Sequence, residues 1–104
     1  MKLKGFIHYN CSLDQFDVSA WVENNGAIQT TGLSVMDAQL YDKDGEQLAY
    51  TITGLTPESI GLYNFEVVNN PSFIENGKTY LLRVETEFNS EELSTFLPFT
   101  ITNI

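Results

Sequence analysis

The sequence predicts an all-β domain, a single antiparallel β-sandwich of about seven strands, on three observations. Turn residues recur at short intervals between segments rich in Val, Ile, Thr, Tyr and Phe. The long segments alternate apolar and polar positions, and none repeats the i, i+3, i+4, i+7 spacing that a helix of about a dozen residues needs. The 104 residues hold one core and one domain, spanning 1–104, and leave no room for a second folding unit. With 42% hydrophobic residues, including 7 Phe, 5 Tyr and 1 Trp, that core can offset the entropy of ordering the chain.

The first strand is expected over 3–9 and the second over 16–23, where Phe16, Val18, Ala20 and Val22 share one face. Asp17, Ser19, Trp21 and Glu23 take the other. Asn24-Asn25-Gly26 then reads as a turn, because Asn and Gly tolerate positive φ, and 27–31 as a short bulged or edge segment before Gly32. The next strand, over 33–41, meets Asp42-Lys43-Asp44-Gly45 and a partner over 46–53; Asp-Gly between two alternating segments is a strong hairpin signal.

A loop over 54–61, containing Pro57, leads to a strand over 62–68 in which Tyr63, Phe65 and Val67 share a face, ended by Asn69-Asn70-Pro71. After Asn76-Gly77 comes the clearest inside/outside strand, over 78–88. Tyr80, Leu82, Val84, Thr86 and Phe88 alternate there with Leu81, Arg83, Glu85 and Glu87. Asn89-Ser90-Glu91 turns the chain into a last strand over 93–101, with Leu97, Phe99 and Ile101 on one face and Pro98 marking an edge position, since proline donates no ladder hydrogen bond.

Fourteen acidic residues against five Lys and Arg give a net charge of -9, so binding to nucleic acid through a basic face is not expected. Lys2 and Lys4 stand at the N-terminus and leave three cations for the rest of the chain, which favours a basic partner surface over an acidic one. No run reaches the roughly 18 apolar residues of a bilayer span, and the first ten residues contain no apolar signal-peptide core, so neither membrane insertion nor export is expected. The single Cys11 has no intramolecular partner, and stability must come from packing.

Short alternating strands in about a hundred residues are what an immunoglobulin-like or fibronectin-type-III-like sandwich presents. In the stretch 75–85, a turn with Gly77 precedes Tyr80 and then alternating apolar residues, which resembles the tyrosine corner of such domains. The resemblance implies that the Tyr80 hydroxyl bonds to backbone at the mouth of the penultimate strand. Antibody-type domains differ: this chain has no cysteine pair, and Trp21 lies on the second strand candidate rather than the third. The segment 35–84 is also similar to Ig-like modules of bacteriophage virion proteins and bacterial surface proteins, which serve as spacer, decoration or adhesion elements.

Chemistry-bearing residues are few. His8 and Cys11 form a nominal Cys/His pair, but at a spacing of three on a strand end they point to opposite faces and lack an orienting third group. They read as an ordinary strand-end His and a small buried Cys. Asp42, Asp44 and Glu46 are the raw material of a calcium site, but position twelve of an EF-hand loop starting at Asp42 is Thr53, so the turn reads as a solvated hairpin and leaves calcium open. Glu85/Glu87 and Glu91-Glu92 fall at outward strand and turn positions where nothing would raise a carboxyl pKa for acid catalysis. Asn10-Cys11-Ser12 fits a glycosylation sequon with no signal peptide to expose it to the modifying enzyme.

Trp21 is the candidate anchor for a partner or a sugar, because the alternation that buries Val18, Ala20 and Val22 pushes its ring outward. A sugar platform needs two or three coplanar aromatics, for which only Tyr9 and Tyr41 are at hand as companions, so the sugar reading is the weaker. No catalytic residue, metal ligand or cofactor is expected. The function expected is a non-enzymatic structural or protein-interaction module. A free-standing module that begins at Met1, with no linker and no disulfide, fits an accessory head or tail component of a phage virion, made in the host cytoplasm. Its partners would be other protein subunits, copies of this chain among them. The ends would act as docking arms, with Lys2 and Lys4 contrasting with the acidic body and Ile101 and Ile104 adding to a neighbouring sheet edge. The alternative is an extracellular adhesion or carbohydrate-binding domain of a larger bacterial surface protein.

Overall fold

The computed structural model describes residues 1–100. Eight strands run in order: β1 (Lys2–Asn10), β2 (Gln15–Asn24), β3 (Ala27–Ile28), β4 (Leu33–Asp42), β5 (Gln47–Leu55), β6 (Tyr63–Val68), β7 (Thr79–Phe88) and β8 (Glu91–Thr100). Among the described residues there is no helix. The strand beyond the expected seven is the two-residue β3, where the sequence suggests a bulged or edge segment. Asn25 and Gly26, at φ 52° and 82°, turn β2 tightly into it.

All pairings are antiparallel and form two sheets. In one, β2 lies between β1 and the end-to-end pair β3 and β6; in the other the order is β5-β4-β7-β8. The sheets pack face to face, an all-β sandwich. Pro98 falls on β8, an edge strand, as its missing N–H requires.

The core is the sum of the two inward alternations. Phe16, Val18, Ala20 and Val22 of β2 and Tyr63, Phe65 and Val67 of β6 meet Met36, Ala38 and Leu40 of β4 and Tyr80, Leu82, Val84 and Phe88 of β7. Phe16 crosses the interface to Phe99 of β8 with ring centroids 4.5 Å apart, and Tyr80 stacks on the same Phe99 at 5.8 Å. Thr86 is the polar side chain on this inner face. Its hydroxyl donates to the Val35 carbonyl at 2.8 Å, where an irregularity between Leu33 and Met36 interrupts the β4–β7 register. No buried polar side-chain atom lacks a partner among the described residues.

The turns use the residues that mark them in the sequence. Asp42 Oδ1 accepts the Asp44 and Glu46 amides, both at 2.9 Å, while Gly45 takes φ 85° to close the β4–β5 hairpin. The Tyr80 hydroxyl does meet backbone at the mouth of β7, the Glu75 N–H donating to it at 2.7 Å.

Candidate functional site

Strand alternation places Lys4, Phe6 and His8 of β1 on the outer face of the first sheet, beside Asp17, Ser19, Trp21 and Glu23 of β2 and Asn64 and Glu66 of β6. Lys4 lies opposite Trp21 and Phe6 opposite Ser19, so the aromatic rings are diagonal neighbours. They meet edge-on, with centroids 6.1 Å apart and planes at 65°.

Trp21 is half-buried rather than exposed. The Phe6 ring stands against it at an angle of 65°, and its indole N–H donates to Glu23 Oε2 at 3.3 Å. Phe6 is the more open of the two, at 52% exposure. The companions expected for Trp21 stand elsewhere. Tyr9 leans on Phe16 at 5.4 Å and donates its hydroxyl to Asp14, while Tyr41 packs against Phe96 on the opposite sheet. Phe6 was legible as the outward alternate of Leu3 and Ile7, but only the β1–β2 register brings it to Trp21.

Polar groups frame the pair. Lys4 Nζ binds Glu23 Oε1 at 3.0 Å, and His8 Nε2 stands 3.7 Å from Asp17 Oδ2. Gln15 donates to Asp17 at 2.8 Å, and the Ser19 hydroxyl bonds to Asn64 Oδ1 at 2.6 Å. With Lys2 exposed at the same edge, cations and carboxylates on this face nearly balance, although the whole chain carries -9.

Lys2 and Lys4 are not a free arm. Both belong to the β1 ladder, opposite Glu23 and Trp21, so the N-terminal residues are part of the sheet. Ile101 and Ile104 lie outside the described residues. Cys11 is exposed in the β1–β2 turn rather than buried, because the strand ends at Asn10, whose side chain caps the turn by accepting the Ser12 and Leu13 amides. His8 looks across the sheet to Asp17. In the Asp42–Glu46 turn one Asp42 oxygen is committed to two backbone amides, and among the described residues no three His, Cys, Asp or Glu side chains converge as a metal site.

Three carboxyls are held below their ordinary range by structural hydrogen bonds. Tyr9 and Asn69 donate to Asp14, Gln15 and Asn10 to Asp17, and Lys4 and Trp21 to Glu23. A depressed folded-state pKa adds stability that is fully present above the unfolded carboxyl pKa and lost as pH falls through the folded value. The gap in unfolding midpoint between the wild type and Asp14→Asn is therefore expected to be widest near neutral pH and to close below about pH 4. Chemical denaturation across that range checks it; a gap independent of pH would mean that the Asp14 contacts do not depend on its charge.

Removing the neighbour ring tests the aromatic pair. Phe6→Ala is expected to red-shift Trp21 emission and raise its quenching by acrylamide, at a cost of about 1 kcal/mol. Unchanged emission would place the two rings apart in solution. Comparison with protein-family models, with curated proteins and with solved structures finds no match in any of the three.

Proposed function

We propose that the chain is a non-enzymatic interaction module that docks on protein subunits of a larger assembly through the outer face of the β1-β2-β6 sheet. The observation that carries this reading is the Phe6–Trp21 pair. A half-open phenylalanine rests on a tryptophan whose polar edge is already satisfied, inside a ring of paired polar groups. Protein interfaces concentrate their binding energy in such a composition, an aromatic centre within a rim that excludes water. A sugar would stack on coplanar rings, whereas these planes cross at 65°, which favours a protein side chain wedged against them.

The carboxyls with shifted pKa are surface groups whose shifts come from their structural partners, which fits binding better than catalysis. The strand order, β1-β2-β6 against β5-β4-β7-β8, and the Tyr80 hydroxyl contact support kinship with immunoglobulin-like and fibronectin-type-III-like modules. The likeness of 35–84 is to modules of phage virions and of bacterial surface proteins alike; a small module held by packing without a disulfide favours the virion, with this chain as a head or tail accessory component.

The test is to band virus particles from the culture that makes the chain and identify their proteins by mass spectrometry, alongside a chain carrying Phe6→Ser and Trp21→Ser. The chain is expected in the particle band, with the double variant left in the supernatant. A chain found only on cell surfaces would favour the adhesion reading, and equal incorporation of the variant would remove this face from the docking.

A further inference from the structure

The outer face of the other sheet, on the far side of the sandwich from Phe6 and Trp21, is divided along its strands. At one end Tyr41, Leu81 and Pro98 stand abreast in register across β4, β7 and β8. Phe96, two residues from Pro98 on the same face, meets the Tyr41 ring edge-on at 5.6 Å and 80° while remaining 48% exposed. Four residues along β4, about 13 Å away at the rise of a strand, the face turns acidic. Asp37 lies directly opposite Glu85, and Glu87 directly opposite Glu92.

Like charges facing one another across a ladder destabilise a sheet, and here two such pairs are adjacent. Arg83, between the halves, is the one cation on this face among the described residues, and it is engaged with Glu85 at 2.7 Å. The Asp37 carboxylate accepts the Gly54 amide at 3.0 Å, which accounts for Asp37 but not for Glu87 and Glu92. Among the described residues no three of these groups converge as a metal site, and the two carboxylate pairs lie at separate rungs of the ladder, a spacing that suits more than one cationic side chain. The same face of a second copy cannot supply them. Pairing like halves would set carboxylates against carboxylates, and pairing unlike halves would bury them unpaired against aromatic rings.

We propose that this face docks a basic protein segment. Such a segment seats an aliphatic or aromatic side chain on the Tyr41–Phe96 end and its Lys or Arg side chains on the carboxylates about 13 Å away. The chain's overall charge of -9 draws such a partner in and repels other copies of the chain. The inference rests on the reading of the chain as a docking module and gives it a second, chemically distinct surface.

The test is selection of random twelve-residue peptides on the immobilised full chain, followed by fluorescence anisotropy of the enriched peptides against three proteins: Phe96→Ser, Glu87→Gln with Glu92→Gln, and Phe6→Ser with Trp21→Ser. Enriched peptides are expected to pair an apolar anchor with Lys or Arg, to lose at least tenfold in affinity on each of the first two proteins, and to weaken as salt is raised. They should bind the Phe6/Trp21 variant as they bind the wild type, which separates this face from the one proposed above. The glutamine double variant is expected to melt at the same temperature as the wild type or higher, since it removes a repulsion. Absence of enrichment, peptides without basic residues, equal binding to the Phe96 variant, or a dimer in native mass spectrometry that Phe96→Ser dissolves would each overturn the proposal.

Discussion

Tyr63→Ala is expected to lower the unfolding free energy by about 3–5 kcal/mol, the range for truncating a large buried aromatic side chain. Tyr63 heads the fully buried side chains and occupies the inner face of β6. Its hydroxyl donates to the Ser34 carbonyl at the start of β4, so one side chain fills the core and ties the two sheets together. Burial holds the hydroxyl's pKa above the ordinary tyrosine value, so it remains a donor throughout the neutral range. Against a total stability of about 5–15 kcal/mol, the alanine variant loses a large share of its margin.

Tyr63→Phe separates the two contributions. It keeps the ring and removes one hydrogen bond, for about 1 kcal/mol; the Thr86 hydroxyl stands 3.4 Å from the same carbonyl but spends its one proton on Val35 at 2.8 Å. Guanidinium unfolding of the three proteins measures both steps. A loss below about 1 kcal/mol for the alanine variant would mean that the sheets do not close over this ring.

The second large effect is at Gly61, just before β6. Its φ of 87° is a conformation that L side chains rarely adopt, and a Cβ there would overlap the Gln29 carbonyl oxygen and press on Ile28 Cγ2 at 3.1 Å. Gly61→Ala is therefore expected to cost about 2–5 kcal/mol, the left-handed penalty plus the strain of moving backbone aside. Gly77 provides the control, with a φ of 83° but open space around it, so its alanine variant should cost only about 1–2 kcal/mol. Equal losses at the two positions, measured by urea denaturation, would show that the loop yields and that the close approach to Gln29 adds nothing.

Much of this architecture was legible because strands carry their burial in plain alternation. Phe16 through Val22, Tyr63 through Val67 and Tyr80 through Phe88 each have every second side chain buried, as their sequences imply. The turns were equally readable, since Asn25-Gly26 and Gly45 adopt the positive φ that these residue types tolerate. Thr86 illustrates the limit. Its place on the inner face follows from alternation, but its carbonyl partner exists only because the β4–β7 register slips beside it.

The candidate surfaces were half legible for the same reason. Alternation assigns Trp21, Phe6, Tyr41 and Phe96 to outer faces, but it does not say which strands lie side by side. Trp21 meets Phe6 because β1 pairs with β2 in one register. Tyr41 reaches Phe96 across β7, joining residues far apart in the chain. Lys2 and Lys4, read as an arm, are ladder residues because the β1–β2 pairing runs to the end of β2.

The all-β class, the long strands, the turns and the apolar side of each strand can be read from the residues alone, because period-two patterning and turn chemistry act over a few neighbouring residues. Which outward residues become neighbours is set by the packed sandwich. Strand order and register depend on how the two buried faces fit together as a whole, and a shift of one residue in any pairing would have exposed a different set of side chains.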